Sequence, residues 1–326
     1  MNHRVIKLSW IALFAIISAV SAQLTSVTDN TAQQEVINFK SVRFANALVE
    51  RWMCEYSKIC PEIAMSFAGR DANEHSIEIA PVGLRKGNTR QDLTTTVSFG
   101  RFAVLPISGK DNVFADDFRK RKLNEKRIKE LFFEKDILDR IDEPNKKNSL
   151  DVTVYSAANA NSVSHLFAGH FGYEASSLKG KRIAGDDIFL NSAVLKDEKG
   201  VSFNNLNYIY NVETRTLNDG IVTLPLDVRK EFAEILNLQN LDETIALLES
   251  RSIDLIPVAE LAFVLPKDSS PAILQFVEWA LSQGQDYIRQ FGFLRLDEST
   301  ITQQQEQISE LKTRHYLALL NQSLNK

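Results

Sequence analysis

The side chains best equipped for chemistry fall in a few short runs. Residues 180–187 read GKRIAGDD, a basic turn that leads into the paired acids Asp186 and Asp187. Adjacent carboxylates could share acid–base work or hold a cation. Either could instead accept the free N–H groups of a helix beginning at 188. His165 and His170 share one expected helix but lie five apart. That spacing is about 140° around the axis, so they do not chelate one metal as an i, i+4 pair would. Ser41 and Ser162 each precede a helical pattern and are natural N-caps. Arg43 follows in the first helical turn, where the macrodipole disfavours a cation, so an anionic neighbour or solvent must relieve it. Arg70 beside Asp71 reads as a surface ion pair. No Gly-x-Ser-x-Gly elbow, His-Glu-x-x-His helix or Walker loop occurs. The expectation is a protein that is not an enzyme, with no cofactor and no metal.

Alternating strands and helices must position these residues. Residues 36–39 (VINF) form a first strand. A helix follows, with Val42, Ala45, Leu48, Val49, Trp52 and Met53 on its apolar face. Strands are expected at 63–67, 76–81 and 96–107. Residues 112–142 are charged and helical in spacing, with Leu123, Ile128, Leu131, Phe132 and Phe133 on the buried side. A strand at 151–155, a small-residue loop at 156–161 and a helix from 162 to 171 come next. Further strands are expected near Ile183, at 208–212, 220–226 and 253–265, with a helix at 241–248. Strand–helix–strand order with short loops is the grammar of a mostly parallel α/β sheet.

The 326-residue chain is 44% hydrophobic, enough for one large core or two smaller ones. Its start reads as a leader: Arg4 and Lys7, an apolar run over 8–20, then small residues up to Ala22. Residues 1–22 hold two of the 38 basic residues and no acid, leaving 36 against 42, a net −6. An evenly mixed acidic surface excludes the basic patch that nucleic acid requires. The basic run 119–129 is interleaved with acids and reads as a solvated helix face, or as a charged partner surface. Export would place Cys54 and Cys60 in an oxidising compartment. A chain return before Pro61 would let them form a disulfide; otherwise they are two buried thiols.

Residues 273–296 read ILQFVEWALSQGQDYIRQFGFLRL, with Ile273, Phe276, Val277, Ala280 and Leu281 on one helical face. Their order resembles the closing helix of periplasmic phosphate-binding proteins of ABC transporters, where Phe-x-x-Trp-Ala-Leu-x-x-Gly-Gln leads into Leu-Gly-Tyr. Residues 123–132, LNEKRIKELF, resemble that family's Leu-Ser-x-x-Gln-Leu-x-x-Ile-Phe helix. The resemblance implies a two-lobed type II periplasmic binding protein-like α/β fold, its mostly parallel sheets flanked by helices. After the leader at 1–22 and a polar lead-in at 23–35, it implies lobe 1 at 36–105 and 256–300 and lobe 2 at 106–255. Residues 301–326 add a C-terminal helical extension packing back on the body. It further implies an exported, periplasmic or secreted receptor that binds phosphate or a similar small anion between its lobes for a membrane ABC permease. The anion seat then falls to Ser41, Arg70, Asp71 and Ser162, on three loops. Ser162 stands at the Ser of the family's Ser-Gly-Thr turn; Val163 and Ser164 replace Gly-Thr, and the family's Arg has no counterpart. A protein that keeps the fold without a ligand is the alternative.

Overall fold

The computed structural model describes residues 35–69, 76–82, 93–134, 150–159 and 162–324. Strand β1 (Val36–Ser41) buries Ile37 and Phe39 and enters a 3-10 turn (Arg43–Ala45) and helix α1 (Asn46–Tyr56). Leu48, Val49 and Trp52 face the sheet, as an i, i+1, i+4 stripe must. Strands β2 (Ala64–Phe67) and β3 (Ile77–Pro81) flank β1 in parallel, with Val36 opposite Ala64 and Phe39 opposite Ile77. Strand β4 (Thr94–Gly109) is sixteen residues long and almost wholly buried from Val97 onward.

Helices α2 (Ala115–Lys120) and α3 (Glu125–Phe132) follow. The helical spacing read over 112–142 is thus interrupted in its described part. Leu123 leaves the helix to donate its N–H to Pro225 O at 2.8 Å, and Asn124 Oδ1 starts α3 by accepting Arg127 N–H at 2.9 Å. Strand β5 (Thr153–Ala157), helix α4 (Val163–His170), strand β6 (Lys181–Ile183), helix α5 (Ile188–Leu195) and strand β7 (Gly200–Asn205) build the next α/β layer. Where 208–212 reads as strand, the chain forms helix α6 (Leu206–Ile209). Asn205 Oδ1 accepts Tyr208 N–H at 3.1 Å, a local capping bond that outcompetes the β-propensity of Tyr, Ile and Val. Strand β8 (Ile221–Thr223) and helices α7 (Lys230–Asn237) and α8 (Leu241–Ser250) lead to strand β9 (Val258–Pro266).

The strand order is β2-β1-β3-β9-β4-β7-β5-β6, with β8 also on β4. The outer pairs are parallel, and β9 runs antiparallel to both β3 and β4. Strand β4 pairs with β9 through Ala103 and with β7 from Val104, so one strand belongs to both halves of the sheet. Helix α9 (Pro271–Ala280) closes the first half. Pro271 stands at its first turn and Ser270 Oγ accepts Ile273 N–H at 3.4 Å. Phe276 packs edge-on against Phe39 and Tyr56. Helix α10 (Glu298–Leu324) lies on α9 and β4 through Gln304, Gln305, Gln307 and the buried Ile308. Leu311 packs against the core, while Tyr316 and Leu317 are exposed.

The disulfide expected between Cys54 and Cys60 is absent, and both thiols are free. Helical turns continue past α1, with Cys60 N–H donating to Tyr56 O at 2.9 Å, so the chain does not return on itself. Cys54 faces solvent, while Cys60 packs toward the core beside the Tyr56 hydroxyl. Among the described residues no helix is long and apolar enough to cross a membrane, and no three acidic, His or Cys side chains gather as a metal site.

Candidate functional site

A cleft of about 180 Å³ opens where the two sheet halves face each other. From the first half, Lys40, Ser41, Arg43 and Glu78 line it; from the second, Ser162 and the turn at Gly185, Asp186 and Asp187. Ser41 and Ser162, distant in sequence, therefore share one cavity. Arg70 and Asp71 lie outside the described residues. A larger cavity of about 250 Å³ sits elsewhere, walled by Leu105, Leu224, Leu226 and Leu236. It shares no lining residue with the cleft.

Ser41 ends β1 and does not cap a helix: its Oγ donates to Val42 O at 3.0 Å. The 3-10 turn begins at Arg43, whose guanidinium faces Asp186 across the cleft at 3.8 Å. The next residue, Phe44, presents its carbonyl to Asn207 Nδ2, which donates at 2.5 Å. Asn207 is gripped from behind by Gly292, which adopts φ +77; a Cβ there would lie 2.9 Å from Asn207 Cβ. Further along the crossing, Arg215 donates to Gln290 O and Arg289 O, each at 2.9 Å, and Glu249 receives both Arg295 N–H and the Arg289 guanidinium.

Ser162 precedes α4 with extended backbone and is 3% exposed, but its Oγ caps no amide and lies 3.5 Å from His165 Nδ1. The amide at the head of α4 is taken by another residue: Val163 N–H donates to Asp187 Oδ2 at 3.1 Å. Ala157 N–H donates to Ser164 Oγ at 2.7 Å, fixing the end of β5 on the same turn. Asp187 occupies the capping position of α5 without capping it, while Asp186 Oδ1 accepts Ile188 N–H at 3.2 Å. Gly185 makes this turn feasible, because its φ of +106 is a conformation that L side chains rarely adopt. The Asp187 main chain is fixed in turn, its carbonyl accepting Asn204 Nδ2 at 2.8 Å.

The electrostatics of the cleft are mixed. Two cations, Lys40 and Arg43, meet three acids, Glu78, Asp186 and Asp187. Burial pushes the Asp187 carboxyl up to about 6; the Val163 amide opposes the rise and the Asp186 charge adds to it. Burial also raises the Tyr208 phenol, assisted by its hydrogen bond to Asp186. Sequence reasoning missed Tyr208, Glu78 and Asn207, whose roles depend on distant partners. It expected Asp186 or Asp187 to meet the start of the helix at 188, as Asp186 does, but not that Asp187 would reach α4.

Structural comparison places the fold. An ABC-type phosphate transport receptor from Vibrio cholerae matches with a TM-score of 0.54 at 8% identity, over 80% of this chain and 100% of that one. A protein described as a phosphate ABC transporter substrate-binding protein from Clostridium perfringens, solved with bound phosphate, matches with a TM-score of 0.53 at 13% identity, over 81% and 100%. A third, described as a possible phosphate-binding protein from Planctomyces limnophilus, gives 0.50 at 12%, over 85% and 99%. The chain has the type II periplasmic binding protein-like fold that these proteins share. No family model matches the sequence, and no curated protein matches it as a relative.

Proposed function

We propose that this chain is an exported solute receptor that takes a small anion, phosphate or a similar oxyanion, into the cleft between its two halves. It would then present the closed form to an ABC permease. The observation that carries this reading is the cavity itself, where the end of β1, Lys40 and Arg43 from one half meet the head of α4 from the other. A helix N-terminus with cations opposite is a favourable setting for negative charge. The hinge is the crossing at Ala103 and Val104, and the halves correspond to 36–105 with 256–300 and to 106–255. Export rests on the leader-like residues 1–22. The phosphate held by the Clostridium neighbour makes phosphate the first solute to try.

A specific observation favours a second reading, a protein that keeps the fold without a solute: the Val163 amide is already satisfied by Asp187. Calorimetric titration of phosphate into the protein lacking residues 1–22, with sulfate as control, separates the two. One-to-one binding weakened by Ser41→Ala, Arg70→Ala, Asp71→Ala or Ser162→Ala, with melting near wild type, supports the receptor. Unchanged affinity in all four variants rejects the site, and no binding of either anion favours the second reading.

A further inference from the structure

The Asp186–Asp187 turn touches both sides of the cleft. Asp187 reaches back to the head of α4, and Asp186 reaches across to Arg43 on the opposite half and to the Tyr208 hydroxyl. These are the kinds of partner, a helix-terminal amide and a guanidinium, that an oxyanion would use. We propose that Asp187 is a tethered carboxylate that holds the anion seat at the head of α4, so that an incoming oxyanion binds only by displacing it. The proposal rests on the anion-receptor reading above.

Three features show the carboxylate to be held in place. Asp187 is 7% exposed, so its position is set by packing. Its main chain is pinned by Asn204, which is itself bonded to Asn191 at 3.0 Å. Its side chain forgoes its own helix for one that starts 24 residues earlier. A second anion entering beside it meets like-charge repulsion from a buried carboxylate. Displacement is favoured when the carboxyl is protonated, and the elevated Asp187 value brings that within reach of mildly acid conditions. The other charged or titratable groups around the seat are Asp186, Tyr208, Arg43, Lys40, Glu78 and His165.

The test is sulfate affinity between pH 5 and 8, because sulfate keeps its charge over that range and the slope reports the protein. Wild type should bind at least tenfold more tightly at pH 5 than at pH 8. Asp187→Asn should bind at pH 8 at least tenfold more tightly than wild type, with a much flatter profile. Asp187→Ser, which also removes the carboxylate, serves if the first variant folds poorly. A wild-type slope that survives in both variants would assign the effect to His165 or another group and overturn the proposal. Equal affinity of wild type and variant at pH 8 would overturn it while leaving the receptor reading intact. No binding by either protein at any pH would overturn both.

Discussion

The Asp187 carboxylate begins α5 in sequence yet lies on the first amide of α4, with Oδ2 3.1 Å from Val163 N. One hydrogen bond thus joins two helices at the floor of the cleft and leaves a buried charge beside Asp186. This arrangement makes the protein's stability depend on pH in a defined direction. The folded-state value of about 6 lies above the ordinary 3.8, so the unfolded chain gives up this proton first. Between about pH 4 and 6 the native state holds more protons, and stability from this group falls as pH rises. Above about 6 the contribution is gone, a loss of about 3 kcal/mol relative to acid conditions. Urea denaturation should therefore show Asp187→Asn gaining on wild type as pH rises from 4 to 8, by about 1–3 kcal/mol at pH 8. A pH-independent difference between the two would mean that the carboxylate is not desolvated.

The two contacts that bridge the cleft mouth should differ in weight. Arg43 and Asp186 pair at 3.8 Å with the guanidinium half exposed, a geometry worth about 1 kcal/mol at most. Asn207 donates to Phe44 O in a part-buried setting, so Asn207→Ala should cost about 1–3 kcal/mol. Urea midpoints for Arg43→Ala and Asn207→Ala would check this order, and a reversed order would show that the ion pair holds the halves together.

Trp52 is fully buried between Phe99 and Phe263, and its indole N–H donates to Gly284 O at 2.8 Å. The bond anchors the break after α9 to α1. Trp52→Phe removes both donor and volume and should destabilise by about 2–4 kcal/mol, with no change in anion affinity because Trp52 is not part of the cleft. A cost below about 0.5 kcal/mol would mean that the site relaxes fully around the smaller ring.

Helix α10 should divide into a structural and a dispensable part. Ile308 is buried, Gln304 Oε1 accepts Ser98 N–H at 2.7 Å and Lys312 pairs with Glu278, whereas Tyr316 and Leu317 are exposed. Removing residues 314–326 should leave the melting temperature within about 2 °C of the parent, and removing 298–326 should lower it by at least about 5 °C. Equal effects of the two truncations would place the stabilising contacts beyond Lys312.

The cleft residues show how far local signals reach. Ser41 and Ser162 were legible as the ends of helix-approaching loops, since a small hydroxyl beside an apolar period is a local pattern. That they face one cavity depends on β4 changing partners at Ala103 and Val104, which no spacing in the sequence encodes. Ser162 illustrates the remainder: its amide neighbour Val163 was open to capping from within the turn, but the partner arrives from Asp187. A buried carboxylate needs a donor, and with its main chain held by Asn204 the Asp187 side chain takes the Val163 amide.

By itself the sequence determined the elements whose evidence is periodic and local. Helix α9 follows from Ser270, Pro271 and a 3.6-residue apolar stripe, and β4 follows from a long apolar run. The sequence also separated the α/β layers and marked the last helix. Tertiary structure alone decided that Ser41 and Ser162 line one cleft and that Asp187 serves α4. The Asp187 carboxylate could meet its own helix or α4, hydrogen bonds of similar net worth, about 0.5–1.5 kcal/mol, and long-range packing selects between them.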